Sequence, residues 1–432
     1  MKRQMIITPK TTKENLEKAI LVTVEEAGKE AWKVEERAEE LKCLAESCYV
    51  EIVNNQILRR KTLTPDLFIG KGKVQEIASL VEKLGADVVI FNNDLSASQQ
   101  KNLEEAFNAK TIDRTQLILD IFARRATSAE GKVQVELAQL IYLLPRLSRM
   151  WLHLSRQRGG VGTKGPGEQQ LEVDRRRVRQ RITRLKRTLR EITRQRELRR
   201  AQREKFSMLT IALVGYTNSG KSTLFNALTS AKVKVKDQLF STLDPTIRKM
   251  SLLNNQTVLL SDTVGFLNEL PHHLVESFKA TLEEVIDADI LFNIVDMSDP
   301  RMEGQKVSVF KVLEELGVAD KPIFTILNKS DKIPDSLEIE RIKRKFHRPI
   351  VISALKRTGL SEVEDRIVQF LQKDMEDIEL ILPHKHYDLA KIVREKGQVK
   401  KEEYRDKGLF ISARVPKKIK YSIFKKLKDR SK

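Results

Sequence analysis

One stretch of the chain, residues 211–223 (IALVGYTNSGKST), constrains the fold more than any other. The apolar run Met208–Val214 has the length and the β-branched content of a buried strand. Gly215 and Gly220-Lys221-Ser222 follow with the spacing G-x-x-x-x-G-K-S, and the next apolar residues recur at helical spacing: Leu224, Phe225 and Leu228. A strand, a glycine loop and a helix in this order are the context that a phosphate-binding P-loop requires. The stretch therefore predicts an α/β domain built around a P-loop.

The chemistry of this loop predicts a nucleotide phosphate as its ligand. Glycines let main-chain N–H groups close around phosphate oxygens, and the N-terminus of the following helix adds partial positive charge. We expect Lys221 to reach the β- and γ-phosphates and the Ser222 hydroxyl to coordinate Mg²⁺, the expected cofactor. The predicted phosphate contacts are Gly215, Tyr216, Thr217, Asn218, Ser219, Gly220, Lys221 and Ser222.

Three short motifs follow in the order of a guanine-nucleotide site: Asp262-Thr263-Val264-Gly265, Asn328-Lys329-Ser330-Asp331 and Ser353-Ala354-Leu355. Each comes after a predicted strand, and all of their residues are predicted nucleotide contacts. Asp262 is placed to hold Mg²⁺ through water, and the Gly265 N–H to sense the γ-phosphate. The Asp331 carboxylate would accept hydrogen bonds from the N1–H and the amine of guanine, whereas adenine has an unprotonated N1. With main-chain N–H groups of Ser353-Ala354 on the guanine O6, the set predicts a GTPase.

The segment 238–245 and the residue after Gly265 concern the hydrolysis step. The segment carries little regular pattern, and we expect it to supply a hydroxyl to Mg²⁺ in the GTP state; Thr242 and Thr246 both fit. Phe266 stands where Ras-like GTPases place a glutamine that orients the attacking water. Because phenylalanine cannot orient water, we expect slow hydrolysis until another group completes the site, which can raise the rate by ~10³–10⁵.

The length and the charge of the chain limit its class. A chain of 432 residues is long enough for about two to four domains. It has no apolar run of about 18 residues and no secretory signal pattern, and its two cysteines fit a reducing compartment, so we expect a cytoplasmic protein outside the membrane. Residues 171–205 carry fifteen Lys/Arg against five Asp/Glu, and residues 385–432 carry seventeen against six. Charge confined to two segments predicts a localised polyanionic partner.

Hydrophobic patterning predicts a four-part α/β protein. Residues 1–112 alternate short apolar runs with amphipathic ones, as in an N-terminal α/β domain with a parallel sheet. Residues 113–205 carry two helical seams and predict an antiparallel helical hairpin. Residues 206–372 hold the motifs of a P-loop GTPase domain, and residues 373–432 predict a small, basic C-terminal α/β domain.

The hairpin is predicted from two seams and an unusual loop between them. Apolar residues are spaced 4-3-4-3-4-3 from Val133 to Leu154 and 4-3-4-3 from Val178 to Ile192. Residues 156–168 contain five glycines and a proline, which no helix would tolerate. A plain connection would be shorter, so we expect this basic tip to contact RNA, through Arg156, Arg158, Gly159, Gly160, Gly162, Lys164, Gly165, Gly167, Arg175, Arg176 and Arg177.

Across its length the chain resembles the HflX family of ribosome-associated GTPases. The resemblance rests on the N-terminal α/β unit and on GGVGTKGPGEQQLEVDRRR at 159–177, GYTNSGKSTLFNAL at 215–228, FSTLDPT at 240–246, DTVGFL at 262–267 and NKSD at 328–331. The glycine stretch and FSTLDPT are typical of this family rather than of GTPases in general. Gln169 stands where the family more often has threonine, and we expect this departure to leave the fold and the nucleotide chemistry unchanged.

This resemblance implies residue roles and a partner. It favours Thr242 over Thr246 as a direct Mg²⁺ ligand beside Ser222, and makes Lys221 and Thr242 the expected catalytic groups. It implies a GTP- and GDP-binding protein, monomeric away from the ribosome, that binds the large ribosomal subunit and its ribosomal RNA. The hairpin tip would approach the peptidyl-transferase region, and subunits would separate with GTP, in a stress or antibiotic response. The family motif adds to the nucleotide site Phe240, Ser241, Leu243 and Asp244.

Two other classes of protein compete with this interpretation. A GTP-controlled RNA-binding module could occupy one ribosomal subunit during assembly or storage without separating anything. A membrane-remodelling GTPase with a coiled-coil stalk fits poorly, because the tip residues 156–168 include no Trp, Phe or Leu to enter a bilayer. Sedimentation of ribosomes with a non-hydrolysable GTP analogue distinguishes the first competitor from a splitting factor.

The base-recognition hypothesis gives the first prediction. Asp331→Asn should weaken GTP binding and favour xanthine nucleotide, because the 2-oxo group of xanthine accepts a hydrogen bond where the guanine amine donates one. Titration of both nucleotides against parent and variant measures the change. An unchanged GTP affinity in the variant would show that Asp331 does not read the base.

Overall fold

The computed structural model arranges the chain around three sheets, which we call the N-terminal, central and C-terminal sheets. Among the residues that it describes, no helix is both long and apolar enough to cross a membrane. The described residues are 16–26, 34–60, 64–147, 166–205, 208–229, 240, 244–252, 256–267, 282–373, 375–383, 386–405, 408–416, 419–421, 423, 424 and 427.

The N-terminal sheet has four parallel strands in the order β2-β1-β3-β4, as the sequence predicted. Its strands are β1 (Lys18–Glu26), β2 (Glu51–Arg60), β3 (Val88–Phe91) and β4 (Lys110–Asp113), and its helices are α1 (Val34–Ser47), α2 (Lys71–Leu84) and α3 (Ala97–Phe107). All residues of β3 are buried, as expected when helices cover both faces of a parallel sheet.

Helix α4 (Arg114–Arg125) was not predicted from the sequence. Asp113, the last residue of β4, caps it by accepting a hydrogen bond from the Gln116 N–H at 2.8 Å. Its residues 114–122 are all buried, and they include the polar side chains of Arg114, Gln116 and Asp120. Because polar residues occupy buried positions, the apolar residues alone do not mark the buried surface of this helix.

The helical hairpin pairs α5 (Ala129–Leu143) with α6 (Pro166–Lys205). On α6 the predicted seam is confirmed where side chains are described: Val178 and Leu185 are buried, and the remaining seam residues are half-buried. Arg181 of α6 donates two hydrogen bonds to Glu136 of α5, at 2.7 and 2.8 Å. Pro145 lies inside the predicted seam from Val133 to Leu154, where proline is expected to kink a helix; in the structure α5 ends two residues before it. The hairpin is therefore joined by apolar contacts and an ion pair.

The central sheet has six strands in the order β10-β9-β8-β5-β7-β6, and only the edge strand β6 is antiparallel. Its strands are β5 (Thr210–Gly215), β6 (Thr246–Ser251), β7 (Thr257–Asp262), β8 (Ile290–Asp296), β9 (Ile323–Asn328) and β10 (Ile350–Val351). Its helices are α7 (Lys221–Thr229), α8 (Glu283–Asp287), α9 (Met302–Glu315), α10 (Ser336–Lys343) and α11 (Leu360–Lys373). The predicted motifs follow the carboxyl ends of parallel strands, the edge where ligands bind in such sheets.

The C-terminal sheet is antiparallel, in the order β11-β13-β12. It consists of β11 (Met375–Leu382), β12 (Gln398–Arg405) and β13 (Gly408–Pro416), with α12 (Tyr387–Lys396) packed on it. The short apolar run at 378–382, the predicted helix at 387–394 and the predicted strand at 409–415 fall in β11, α12 and β13, whereas β12 was not predicted. That strand is half-exposed and mostly charged, so it lacks the apolar alternation by which strands are recognised.

One apolar core joins the N-terminal sheet, α4, α5 and the central sheet. Phe122 of α4 belongs to it together with Tyr216 of the P-loop, Phe240 and Phe266. The rings of Phe122 and Phe240 meet edge to face, with centroids 4.6 Å apart. The P-loop and helices α4 and α5 therefore share one continuous apolar core.

A buried ion pair lies at the junction between the N-terminal region and the P-loop. Arg114 donates a hydrogen bond to the Glu40 carboxylate at 2.6 Å, and the two side chains are only 5% and 3% exposed. Arg114 also donates to Asn92 at 2.9 Å. The hydroxyl of Tyr216 donates to the other Glu40 oxygen. One carboxylate of the N-terminal region thus has partners on both sides of the junction.

Removing one member of this pair should destabilise the fold strongly. Arg114→Ala leaves the Glu40 charge buried without its ion partner, and we expect a loss of about 3–5 kcal/mol. The matched control is Arg59→Ala, because the Arg59–Glu35 pair is 71% and 57% exposed and such pairs contribute less than about 1 kcal/mol. Urea denaturation of both variants measures the difference. Equal midpoints would contradict the importance of the buried pair.

Candidate functional site

The P-loop between β5 and α7 takes a shape that only glycine permits at two positions. Gly215 has φ +148° and Gly220 has φ +94°. A Cβ on Gly215 would lie 2.3 Å from the Ile294 carbonyl oxygen, and one on Gly220 would lie 2.2 Å from the Asn328 amide nitrogen. The predicted glycine loop is thus closely packed against the ends of β8 and β9.

Lys221, the first residue of α7, lies buried within this loop. Its Nζ donates hydrogen bonds to the carbonyl oxygens of Gly215 at 3.1 Å and Tyr216 at 2.7 Å. Burial lowers the pKa of Lys221 from 10.5 to about 8, and the nearby Asp262 carboxylate opposes that shift. A phosphate group here would restore the charged form, so the geometry suits an anionic ligand.

Two of the three residues predicted to hold Mg²⁺, Ser222 and Asp262, meet beside the lysine. The Ser222 hydroxyl donates to Asp262 Oδ2 at 2.7 Å, and both side chains are buried. Thr263 is held by its hydroxyl, which donates to the Leu213 carbonyl at 2.6 Å. A hydroxyl and a carboxylate are hard oxygen donors of the kind that Mg²⁺ prefers, so this pair fits the ion.

The segment after Asp262 is hydrogen-bonded to the P-loop. The Phe266 N–H donates to the Gly215 carbonyl at 3.1 Å, and the Thr217 N–H donates to the Phe266 carbonyl at 2.8 Å. A Cβ on Gly265 would lie 2.8 Å from the Thr217 Cα, so a side chain there would collide with the P-loop backbone. The Phe266 ring is 2% exposed and belongs to the shared apolar core. This position therefore offers no polar side chain to a water molecule.

The base-recognition motifs meet at the ends of β9 and β10. Asn328 is buried and joins both loops, because its amide donates to the Ser219 carbonyl at 2.9 Å and accepts from the Ala354 N–H at 3.0 Å. The Ser353 hydroxyl donates to Asp331 at 2.5 Å, which orients the carboxylate. The structure thus brings the P-loop and both base motifs into one site.

Other residues of these motifs have supporting contacts. Lys329 has φ +65° and forms an ion pair with Asp296 at 2.7 Å. The Ser330 N–H donates to the Ile352 carbonyl at 3.2 Å. Leu355 is 76% exposed and Asn218, in the P-loop, is exposed as well.

Tyr216, Phe240 and Asp244, predicted nucleotide contacts, direct their side chains toward the N-terminal half of the chain. The Tyr216 hydroxyl bonds Glu40, and Phe240 packs on Phe122. The Asp244 carboxylate accepts hydrogen bonds from residues 127 and 128, just ahead of α5. Sequence analysis missed these partners, although a Thr-Ser pair before a helical seam is an N-cap signal.

Several predicted site residues lie outside the described part of the chain, and their predictions stay untested. They are Ser241, Thr242 and Leu243 of the nucleotide site and Arg156, Arg158, Gly159, Gly160, Gly162, Lys164 and Gly165 of the tip. Gly167 and residues 175–177 belong to α6, which packs against α5. Val264 is buried and Thr246 begins β6.

Comparisons with known proteins agree with this site. Family models match residues 35–123 ("GTP-binding GTPase N-terminal"), 125–203 ("GTP-binding GTPase Middle Region") and 210–329 ("50S ribosome-binding GTPase"). GTPase HflX of Caldanaerobacter subterraneus subsp. tengcongensis is 44% identical over 404 residues, which cover 94% of this chain and 92% of that protein. The chain belongs to the HflX family of GTPases. The HflX protein of Escherichia coli K12 is 41% identical over 383 residues, covering 88% of this chain and 90% of that one.

A solved structure of the GTP-binding protein of Sulfolobus solfataricus, in complex with GDP, is also similar. It is 27% identical and covers 83% of this chain and 99% of that chain, with a TM-score of 0.44.

As a member of the HflX family, the chain is a GTPase that converts GTP to GDP and phosphate. P-loop GTPases use Mg²⁺ with their nucleotide, and the ion supplies positive charge to the β- and γ-phosphate oxygens. Here Ser222 and Asp262 would hold it, and Lys221 would neutralise phosphate charge from the other side. Asn328 joins the loop after β9 to the P-loop, so one connected frame would hold both the base and the phosphates.

The lowered pKa of Lys221 predicts a pH dependence of nucleotide binding. With a pKa of about 8, the free protein loses the lysine charge as pH rises through that value, whereas bound phosphate favours the charged form. GDP affinity should therefore be flat below pH 7.5 and fall above pH 8, by up to about tenfold per pH unit. Fluorescent GDP titrations from pH 6.5 to 9.5 measure this.

The control for this prediction is Lys221→Met, which should bind GDP weakly and lack the lysine-dependent fall. Titration of the guanine ring itself is common to both proteins and cancels in the comparison. If parent and variant lose affinity in parallel, Lys221 does not titrate in this range.

Proposed function

We propose that this HflX-family GTPase binds the large ribosomal subunit in its GTP state and separates the ribosomal subunits. The observation that carries the proposal is the match of residues 210–329 to the family model described as "50S ribosome-binding GTPase". The ligand is then ribosomal RNA, and the place of action is the cytoplasm.

Helix α6 supports a polyanionic partner. Residues 171–205 carry a local charge of +10, fifteen basic against five acidic residues. Because the apolar seam faces α5, the basic side chains lie on the outside: Arg176, Arg177, Arg179, Arg184 and Arg187 are all exposed. A helix with one apolar face against its partner and arginine over the rest suits the phosphate backbone of RNA.

The buried ring of Phe266 supports a role for the ribosome in hydrolysis. The usual water-orienting side chain is missing at this position, and Phe266 lies in the apolar core. Another group, from this chain or from its partner, has to complete the site, as activating proteins do for other GTPases. We propose that ribosome binding supplies that completion and that the GTP state is the splitting state.

The hairpin tip is the part of this proposal that is easiest to isolate. Replacing residues 159–165 by a Gly/Ser linker of equal length leaves α6, which begins at Pro166, intact. The variant should bind GTP normally and retain some ribosome binding through α6, but should lose subunit separation with a non-hydrolysable GTP analogue. Sucrose-gradient sedimentation of 70S ribosomes, run beside nucleotide titration, measures both properties.

Two results would contradict the proposal. If the parent protein leaves 70S ribosomes intact while binding the large subunit, it is an occupant of one subunit rather than a splitting factor. If the linker variant separates subunits as well as the parent does, the tip is only a connection.

Binding to the large ribosomal subunit should also weaken ~10³–10⁵-fold between 50 and 200 mM salt if six to ten phosphates are contacted as in duplex DNA.

A further inference from the structure

The Asp244 carboxylate is held by the start of the hairpin. It accepts hydrogen bonds from the Thr127 N–H at 2.9 Å, the Thr127 hydroxyl at 2.6 Å and the Ser128 N–H at 2.7 Å. The Ser128 hydroxyl donates to its other oxygen. Partial burial would raise the pKa of Asp244, but these hydrogen bonds outweigh burial and hold its pKa below the usual value. The charged carboxylate is therefore the form that this contact binds.

The space around the Asp244 carboxylate is also limited by its neighbours. A Cβ on Gly131, in the first turn of α5, would lie 2.4 Å from Asp244 Oδ1. Ser128 is at the same time the N-cap of α5, and its hydroxyl accepts from the Gly131 N–H at 2.9 Å. We call Thr127, Ser128 and Gly131 the α4–α5 corner. It presents donors, a helix N-terminus and a space without a side chain to one carboxylate.

The α4–α5 corner is connected to the nucleotide site through Asp244 and to the hairpin through α5. Asp244 precedes β6, the strand that pairs with β7, and Asp262 ends β7 at the Mg²⁺ position. Phe240, four residues before Asp244, packs on Phe122 of α4. On the other side, α5 packs along α6 of the hairpin. The contact thus connects the strand pair beside the phosphates with the base of the hairpin.

We propose that Asp244 is a positioning residue for GTP hydrolysis: seated on the α4–α5 corner, it fixes the chain ahead of β6 for the Mg²⁺–GTP state. Strand register gives the reason. Thr246, two residues after Asp244, pairs with Asp262 of β7, the residue expected to hold Mg²⁺ through water. A fixed Asp244 keeps this end of the β6–β7 pair in place, which lowers the entropy lost when the ion binds.

The inference rests on the GTPase activity and on the assignment of Asp262 to the Mg²⁺ site, and not on subunit separation. GDP lacks the γ-phosphate, so we expect its affinity not to depend on the position of the chain ahead of β6. Loss of the contact should therefore reduce kcat and raise the Mg²⁺ requirement for hydrolysis while GDP affinity stays constant. A merely structural role would change all three together.

The test uses Gly131→Ala, which changes no residue of the nucleotide site. The new methyl group meets the end of the Asp244 side chain and should displace it, without strain in α5, where alanine is a better helix former. Gly72→Ala is the matched control, because Gly72 lies in the first turn of α2 and a Cβ there meets nothing within 4 Å. GTP turnover, its Mg²⁺ dependence and GDP affinity are measured without ribosomes.

We expect Gly131→Ala to lower kcat about tenfold, the scale of one lost hydrogen-bonded charge, and to raise the half-saturating Mg²⁺ concentration. GDP affinity should stay within about twofold of the parent, and Gly72→Ala should match the parent in every respect. Asp244→Asn should repeat the result. In an Asp244→Ala background, Gly131→Ala should lower kcat by less than a further twofold or so, because the two residues act as one contact.

Three outcomes would overturn the inference. One is a Gly131→Ala variant that behaves as the Gly72→Ala control does, and another is GDP affinity that falls as far as kcat. The third is faster hydrolysis, which would mean that the contact holds the chain away from the ion. If Gly131→Ala does not fold, Asp244→Asn and Thr127→Val decide the question with the same measurements. Asp262→Asn tests the metal assignment separately: if it keeps the parent's Mg²⁺ dependence, Asp262 is not the group being positioned.

Discussion

The structure depends on one carboxylate that has been removed from water. Glu40 lies 3% exposed between Arg114 of the N-terminal region and Tyr216 of the P-loop. A buried charge is tolerated only when its partners stay in place, so both halves of the junction have to keep their positions. The carboxyl edge of the N-terminal sheet is thereby fixed against the glycine loop that binds phosphate.

This junction changes how the parts of the protein relate to one another. The sequence suggested a nucleotide site in a domain of its own, with the hairpin as a separate attachment. In the structure Phe266 and Phe240 share an apolar core with α4 and α5, and Asp244 is bound at the start of α5. The helices that begin the hairpin are therefore part of the surroundings of the nucleotide site, and a change in one alters the packing of the other.

Local spacing explains what the sequence could predict. The P-loop, Asp262 and the Asn328–Asp331 motif were found because each is a short pattern after a strand, and the parallel sheet brings such strand ends together. Helix α4 was missed because polar side chains occupy several of its buried positions, and β12 because it is charged. The partners of Tyr216 and Asp244 are distant in sequence, so only the packing of the two sheets could reveal them.

The length of α6 has a mechanical consequence. Its 40 residues end at Lys205, shortly before β5 leads into the P-loop, and begin at Pro166, next to the glycine loop. At 1.5 Å per residue the helix is about 60 Å long, so a rotation of about 10° at the P-loop end moves the far end by about 10 Å. Helix α5 has 15 residues and runs beside only part of that length. The length of α6 therefore makes the position of its Pro166 end very sensitive to the angle of the helix beside the P-loop.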